Sequence, residues 1–528
     1  MISVTTIDMS FLHQLLEHYR FTLKDLEARK ASGSFVALKR PDGLEDFENV
    51  VSRIQKAVSM KEKVVLYGDY DVDGLTATAI LSMALDELGL RHGFFIPSRY
   101  VEGYGLSESR VREFHEKGYH LIICLDNGVA QNAACKLAHD LSMEVLVIDH
   151  HEIPEPHADY DYLFHQKQSG FLDYNCSAAS LSYFVSSKLL GRDEPYFAVL
   201  AGTAVFSDVM PVFGNNLTFA KLMLSFLNRY RYSNLVYLLD RKDFSYGDVS
   251  FYLIPSLNSV GRIRKDSVST NNVCRFLIDR DDKAKIEKRG KDILSCNAER
   301  KEIVRNMHFH DSMESEHFLS CVCDSYSGLT GLFANRILRE KAKPIAVFCS
   351  DIQNQDQYVA SLRLPKGYHA LDILKKYQSY FIHSGGHDQA CGFSILKKDY
   401  YLVSTLLASE FAKQSFDVSN EEPIIEITLD DLTEENYHIL ESFMPFGEGF
   451  QQPLFSCSVE KSAFQVVPSS KYAYALTADG KGRVILFQSL DTLQKDVSYF
   501  EVVGNFEKTE YKNSVFYQIT AKKLTPVD

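Results

Sequence analysis

Four short stretches of this chain concentrate the side chains that bind metal ions and move protons. Gly68-Asp69-Tyr70-Asp71-Val72-Asp73-Gly74 sets three carboxylates at alternate positions. Asp126-Asn127-Gly128 adds a fourth, and Asp149-His150-His151 joins a carboxylate to two imidazoles. Asp208 follows in Phe206-Ser207-Asp208-Val209-Met210-Pro211. Gathering so much negative charge is costly unless a cation is held with it. Oxygen donors mixed with imidazole nitrogen suit Mn²⁺ or Mg²⁺ better than a thiolate zinc site. The donors suffice for two ions sharing a carboxylate, the usual device for hydrolysing a phosphate ester, in which the pair activates a water and stabilises the leaving oxygen. Each stretch also has a plainer explanation. Aspartates in a turn cap helices, Asp-Asn-Gly is ordinary turn chemistry, and adjacent histidines on a strand face opposite ways, converging only at its end. Agreement among the stretches favours the metal reading.

The surrounding pattern places the first three stretches at strand ends. Val64–Tyr67, Leu121–Leu125 and Glu144–Ile148 are short apolar runs that end at the acidic turn, at Asp126 and at Asp149. Phe94–Ile96 reads as another strand; Leu75–Leu90 and Ala130–Leu141 read as helices. Strands alternating with helices predict a parallel sheet covered on both faces, and ligands bind such sheets in the crevice outside the strand carboxyl ends. Cys176–Leu239 reads as mostly helical. Asp281–His310 is a charged run of helical composition, interrupted at Gly290, of the kind that bridges two lobes. A second α/β rhythm runs from Phe318–Cys323 through a helix near Leu329–Lys341 and a strand at Pro344–Cys349 to about Leu407. Punctuation at Ser419–Pro423 predicts a boundary. Beyond Pro445, the runs Leu454–Val459, Ala463–Val467, Ala473–Leu476, Arg483–Gln488, Tyr499–Asn505 and Val515–Lys522 predict a small antiparallel barrel. The fold class is α/β: a parallel-sheet domain and a second α/β domain joined by a long helix, plus a C-terminal β-barrel. The predicted domains are a helical lead-in (1–60), the first α/β domain (61–280), the connecting helix (281–315), the second α/β domain (316–420) and the barrel (421–528).

Composition narrows the class. The 528 residues are 45% hydrophobic, 12% aromatic and 24% charged, which supplies ample core and excludes disordered, collagen-like and coiled-coil chains. The net charge of −13 does not mark a basic nucleic-acid binder, yet a local basic face or bound metal still permits one. The ten cysteines are scattered, with only Cys321 and Cys323 close together, so neither a zinc CxxC pair nor a disulfide framework is expected. No basic-then-apolar leader and no uncharged apolar run of 18 residues is present, so the expectation is a soluble, cytoplasmic protein.

Taken together, the acidic turn, Leu125-Asp126-Asn127-Gly128, Asp149-His150-His151 and Ser207-Asp208-Val209-Met210-Pro211 resemble the four motifs of the DHH phosphoesterase superfamily, most closely the bacterial RecJ single-strand-specific DNA exonucleases. The resemblance continues through Ile96-Pro97-Ser98-Arg99-Tyr100-Val101-Glu102-Gly103-Tyr104-Gly105, Pro255–Arg262, Ser361-Leu362-Arg363, Ser384–Gly392 and Pro445-Phe446-Gly447-Glu448-Gly449, over about residues 60–528. It implies a DHH domain, a DHH-associated domain and an OB fold. Two ions, Mn²⁺ or Mg²⁺, would be held by Asp69, Asp71, Asp73, Asp126, His150 and Asp208. Asp126, His150 and His151 would form the catalytic set, with Asp126 bridging the ions. Asp73 and His151 stay open between direct ligation and support of the ligand shell. Arg99, Asn258, Arg262, Arg336, Ser361, Arg363, Gly385, Gly386 and His387 would meet the strand. Ser361 and Arg363 would meet its 5′-terminal phosphate, for which a guanidinium fork is suited.

The implied function is a metal-dependent 5′→3′ exonuclease that degrades single-stranded DNA to 5′-mononucleotides in DNA repair and recombination. A RecQ-type helicase and a single-strand-binding protein are the implied partners, and a monomer the implied state. The barrel offers Phe464, Tyr472, Tyr474, Phe487 and Phe516 near Lys471, Lys481 and Arg483, the mixture that single-strand binding uses, although aromatics on barrel strands are more often core. The sequence departs from the family pattern at Ala204–Pro211, whose glycine and threonine are shifted, and at Phe450-Gln451, where Asn-Pro is usual. The alternatives are a nanoRNase or cyclic-dinucleotide phosphodiesterase, a pyrophosphatase or exopolyphosphatase, and a non-catalytic DNA-binding scaffold. The first two classes need no OB domain, and the scaffold requires loss of ligands that are all present here.

Overall fold

The computed structural model describes residues 9–264, 268–414, 423–467, 472–487, 490–511 and 514–527. The chain divides into two compact units, one of residues 39–210 and 222–418, the other of the described residues within 1–38, 211–221 and 419–528.

The larger unit begins with five strands: β1 (Val64–Tyr67), β2 (His92–Phe95), β3 (Leu121–Leu125), β4 (Glu144–Ile148) and β5 (Tyr162–Phe164). They form a wholly parallel sheet in the order β2-β1-β3-β4-β5. Strands β1, β3 and the last four residues of β4 are buried along their length, as their unbroken Val, Ile and Leu runs require of a sheet covered on both faces. The strand order reverses between β1 and β3, and such a switch point opens a crevice at the carboxyl ends. The helix Val72–Glu87 starts there and buries thirteen of its sixteen residues. The helices Ala178–Leu190 and Pro195–Ser207 pack on it.

The same unit carries a second sheet of β6 (Phe309–Glu314), β7 (Leu319–Cys323), β8 (Ile345–Ser350), β9 (Gln357–Arg363), β10 (His383–His387) and β11 (Ala390–Leu396), in the order β10-β11-β9-β8-β7-β6. Only β7 and β8 run parallel, with the helix Ser327–Lys341 as their crossover. The helix Lys283–Arg305 precedes this sheet. Two expectations change here. The connecting segment 281–315 is not all helix, because 309–314 forms the edge strand β6. Gly290 does not interrupt the helix. It is buried, and a Cβ there would lie 2.5 Å from the Tyr237 ring and 3.2 Å from Phe276. The glycine answers close packing, not a break.

The smaller unit holds β12 (Ile425–Ile427), β13 (Phe455–Glu460), β14 (Gln465–Val467), β15 (Tyr472–Leu476), β16 (Gly482–Leu486), β17 (Tyr499–Tyr511) and β18 (Ser514–Val527), in the order β12-β13-β17-β18-β16-β15-β14. The expected all-antiparallel pattern is corrected: β12–β13 and β16–β18 are parallel pairs. The last two runs are a long hairpin, because pairing continues through polar residues well beyond their apolar segments. The 1–60 lead-in is not one element. The helix Met9–Tyr19 sends Phe11 and Leu15 into the β-unit's core, with Phe11 stacked on Phe455 at 5.8 Å. Glu45–Met60, in contrast, packs on β5 of the first sheet. Phe450, one of the departures from the family pattern, lies between Tyr19 (4.2 Å) and the Arg29 guanidinium (3.7 Å). Most of the Ser419–Pro423 boundary lies outside the described residues. Among the described residues no helix is long and apolar enough to cross a membrane, and all ten cysteines are buried and none is in a disulfide.

Gly290→Ala will destabilise the larger unit by about 1–3 kcal/mol through overpacking; equal denaturant midpoints for variant and parent would refute the packing account.

Candidate metal centre and strand path

The acidic turn owes its shape to the helix that follows it. Asp71 is the N-cap of Val72–Glu87, and its Oδ1 accepts the N–H groups of Asp73 (3.0 Å) and Gly74 (3.2 Å). Capping and metal binding are therefore not rivals here, since one oxygen caps and the carboxylate still faces the cluster. Gly74 lets the turn fold back, because a Cβ there would lie 2.4 Å from the Asp69 nitrogen. Asp73 is fully buried, and its two oxygens accept the N–H groups of Ala178 (2.7 Å) and Ala179 (2.8 Å) at the start of another helix. Asn258 Oδ1 accepts the N–H of Val72 at 3.1 Å.

Around this turn three groups of donor atoms each lie within 4.8 Å of one another: Asp69, Asp71 and Asp126; Asp73, His150 and Asp208; and Asp126, Asp149, His150 and His151. Asp126 belongs to two of them, at a left-handed backbone position (φ 65°) just past β3. His150 Nε2 stands 3.1 Å from Asp126 Oδ1, 3.3 Å from Asp208 Oδ2 and 3.6 Å from Asp73 Oδ2. Asp208 reaches this point from the C-terminal end of the helix Pro195–Ser207. The Asp69 Oδ1 atom is buried with no hydrogen-bond partner, which costs free energy that a bound cation would offset. The donor set of hard carboxylates plus one imidazole thus fits a hard divalent cation.

The electrostatics agree. Burial and then the neighbouring carboxylates push Asp69, Asp126 and Asp208 well above the usual carboxylate range, and Asp73 to about 7. Burial, then His151, pushes His150 down to about 3. For His151, burial pulls downward but the bond from its Nδ1 to Asp149 Oδ1 (2.8 Å) wins and holds it at about 9. Asp149 lies at about 2, where the two histidines outweigh its burial. His151 is thus bonded to Asp149, while His150 faces the acidic cluster. Tyr104 places its hydroxyl 3.3 Å from His151 Nδ1.

The expected strand contacts separate into two groups. Arg262 Nη1 donates to the Gly328 carbonyl of the second lobe at 3.3 Å, and burial together with Arg99 lowers its guanidinium to about 10. Arg300 and Arg363 also act on it. Arg99 lies over the Tyr70 ring at 4.4 Å, with a buried, unpartnered Nε. These mutually repelling guanidiniums form a basic wall beside the acidic cluster. On the second lobe, pairing aligns Ser361, Gly392 and Gly385 across three strands, and the Ser361 hydroxyl meets that of Thr330 at 2.8 Å. Arg363 packs over Gly331, and Gly385, Gly386 and His387 are exposed on β10. The His387 charge acts on His150, so this strand lies near the metal donors.

Two candidates fall outside the group. Arg336 turns to the Val304 carbonyl (3.2 Å) and Glu340 (3.4 Å), a helical i,i+4 pair. Asn258 is 8% exposed and supports the acidic turn from behind. Sequence reasoning did not single out Asp149, Tyr104, His165, Gln166 and Arg300. Asp149 and Tyr104 sit inside motifs already quoted, so proximity within the motif was the available signal. The other three carry no local mark.

In the β-unit, Tyr472 lies 6.0 Å from Tyr474 and 6.1 Å from Phe487, and Arg483 stands 4.0 Å over Phe516. Phe487 is exposed, whereas Phe464 packs on the core. Lys471 lies outside the described residues.

Two family models match the chain: the DHH family, N-terminal domain, over residues 63–203, and the RecJ OB domain over residues 425–523. Among curated proteins the chain is similar to the single-stranded-DNA-specific exonuclease RecJ of Bacillus subtilis, 26% identical over 447 residues, which are 80% of this chain and 56% of that protein. It is 23% identical to the same-named Haemophilus influenzae protein over 564 residues, 98% of this chain and 97% of that one. The chain thus spans little more than half the length of the first relative and nearly all of the second. Among solved structures, RecJ of Thermus thermophilus with Mn²⁺ superposes with a TM-score of 0.80 at 20% identity, covering 97% of this chain and 78% of that one. An exonuclease RecJ bound to manganese gives 0.60 at 23% identity, over 72% and 97%.

In metal-free protein, Asp69, Asp73, Asp126 and Asp208 hold protons more tightly folded than unfolded, so stability falls as pH rises from the ordinary carboxylate range through about 7. His150 and His165 oppose this below their ordinary value of 6.5, while His151, held at about 9, adds to the loss above it. Calorimetry of chelated protein at pH 5 and pH 8 will show the lower Tm at pH 8, with a smaller drop in Asp126→Asn; a pH-independent difference between the two proteins would contradict this electrostatic account.

Proposed function

We propose that this chain, which belongs to the RecJ branch of the DHH family, is a metal-dependent 5′→3′ exonuclease that degrades single-stranded DNA to 5′-mononucleotides. The observation that carries the reading is the convergence of six carboxylates and two imidazoles at one sheet switch point, with a buried Asp69 oxygen left without a partner. Asp69, Asp71, Asp73, Asp126, His150 and Asp208 would hold two ions, Mn²⁺ or Mg²⁺, with Asp126 shared. When bound, such ions supply Lewis acidity at a phosphoryl oxygen and lower the pKa of water.

The chain's own residues do the rest. The Asp149–His151 bond holds the proton on His151 Nδ1 and, by favouring the charged ring, a second proton as its Nε2–H. That N–H donates to a phosphoryl oxygen or to the departing 3′-oxygen. Arg99, Arg262 and Arg363 attract the backbone, and Ser361 with Arg363 takes the terminal 5′-phosphate. Hydrolysis breaks the bond between the first nucleotide's 3′-oxygen and the next phosphorus. The shortened strand therefore keeps a 5′-phosphate, and the same pocket serves every cycle. Tyr472, Tyr474, Phe487 and the Arg483–Phe516 pair supply base stacking in the OB domain.

The reading carries with it a role in DNA repair and recombination, a cytoplasmic location, a monomeric state, and a RecQ-type helicase and single-strand-binding protein as partners. The RecJ OB match weighs against the small-substrate phosphodiesterase alternatives.

The test uses purified protein with Mn²⁺, long single strands labelled at either end, and the matching duplex. Immediate release of labelled mononucleotide from the 5′ label, with the duplex spared, is expected. Hydrolysis confined to very short oligomers or cyclic dinucleotides would replace this reading with the alternative. Asp126→Ala will abolish cleavage while strand binding stays measurable. Arg363→Ala will weaken binding of 5′-phosphorylated strands about 10–100-fold, the loss of a charge-assisted hydrogen bond, with little change for 5′-hydroxyl strands; equal losses on both would remove Arg363 from the phosphate pocket.

A further inference from the structure

Behind the paired histidines, β5 is followed by His165 and Gln166, whose side chains are almost wholly buried. His150 and His151 lie beyond the last residue of β4, so their peptide groups have left the β-ladder. Side chains satisfy those groups instead. Asp149 Oδ1 accepts the N–H of His150 (2.8 Å) and of His151 (3.2 Å). His165 Nε2 lies 3.0 Å from the His151 carbonyl oxygen, and Gln166 Nε2 lies 3.3 Å from that of His150. All four backbone polar groups of the two histidines are thereby held.

The two donors are themselves fixed. The N–H groups of Lys167 (3.2 Å) and Gln168 (3.1 Å) donate to His165 Nδ1. A nitrogen accepting two amides carries no proton, so the proton of the neutral ring sits on Nε2 and points at the His151 carbonyl. The Gln166 backbone carbonyl accepts the N–H groups of Phe171 (2.9 Å) and Leu172 (2.8 Å), which anchors the residue from behind. Its side-chain Oε1 is buried without a partner. Turning the amide over would set Oε1 against the His150 carbonyl oxygen, so the amide is locked with its donor forward and its orphan acceptor is tolerated.

We propose that His165 and Gln166 are positioning residues of the metal centre, whose donated hydrogen bonds fix the peptide planes of His151 and His150 and so the direction of both imidazoles. The proposal rests on the metal reading given above. Neither residue faces the donor cluster, and each acts through a histidine carbonyl. Groups that orient metal ligands change metal affinity about 10–100-fold when lost.

The experiment compares Gln166→Met, His165→Phe and His165→Asn with the parent. Mn²⁺ is titrated calorimetrically, and the melting temperature is read with chelator and with saturating Mn²⁺. Gln166→Met keeps length and removes one donor, and His165→Phe keeps the ring and removes the other. Both will bind Mn²⁺ about 10–100-fold more weakly, and their strand cleavage will recover as Mn²⁺ is raised. His165→Asn, which retains a donor, will lose less. Should His165→Phe not fold, Gln166→Met carries the same test, because it leaves no backbone N–H without its acceptor. Parent-like Mn²⁺ affinity in Gln166→Met and the folded His165 variants overturns the proposal, and a lowered chelated Tm with unchanged affinity overturns it in favour of a purely structural role. Failure of the parent itself to bind Mn²⁺ overturns the metal reading and this inference together.

Discussion

Mutual repulsion among buried carboxylates at the β1/β3 switch point is the constraint around which the larger unit is arranged. Burial and at least one neighbouring carboxylate raise the pKa of each of Asp69, Asp73, Asp126 and Asp208, and no lysine or arginine forms an ion pair with any of them among the described residues. The fold offsets part of this charge with backbone dipoles. Asp71 accepts the first amides of Val72–Glu87, and Asp73 accepts the first amides of Ala178–Leu190, so two helix N-termini point into the cluster. What remains unbalanced is the part a divalent cation is suited to neutralise, and stability and function are coupled there.

The rest of the larger unit extends that logic outward. Asp149 supplies the opposite arrangement, a carboxylate whose charge is retained because a histidine is bonded to it, so that neighbouring residues of one loop hold contrasting protonation states. Beyond the carboxylates, Arg99, Arg300 and Arg363 are brought close enough to Arg262 to lower, after burial, its affinity for protons. Such a wall is poised for a polyanion. The parallel DHH sheet and the mostly antiparallel second sheet meet through Tyr100, Arg262 and Gly328. The acidic cluster and the Ser361–Arg363 strand thus stand on different lobes of one unit. The β-unit has its own logic: aromatic rings on β15 and the exposed Phe487 lie outside a core that the N-terminal helix helps to fill.

Much of the centre was legible because local rules and global fold agree there. Apolar runs of strand length ending in Asp or Asp-His-His place the donors at strand ends whatever the sheet order, and the structure keeps Val64–Tyr67, Leu121–Leu125 and Glu144–Ile148 as strands. Where one residue type serves two purposes, the reading was less secure. Gly290 reads as a helix break, but its lack of a Cβ admits Tyr237, and only the packed partner distinguishes the two. Asn258 and Arg336 have the chemistry to meet DNA; in the folded chain the Asn258 side-chain oxygen accepts the Val72 amide, and the half-exposed Arg336 meets Val304 and Glu340. Strand direction in the β-unit was likewise hidden, because alternation marks a strand but not its partner.

The amino-acid sequence by itself marked the carboxylates and imidazoles that meet at the centre, the α/β rhythm that carries them and the barrel-type ending, since these depend on residue type and periodicity over a few positions. Tertiary structure decided which donors share a site, which oxygen is spent on a helix cap and which is left for a ligand, and which cations face the cleft. It also decided that His165 and Gln166, separated from the histidines by a loop and unmarked in the sequence, hold the carbonyls of His151 and His150. The physical reason is range. Hydrophobic periodicity is a property of neighbours along the chain, whereas burial, charge repulsion and hydrogen-bond satisfaction are set by groups that meet only when the chain has folded.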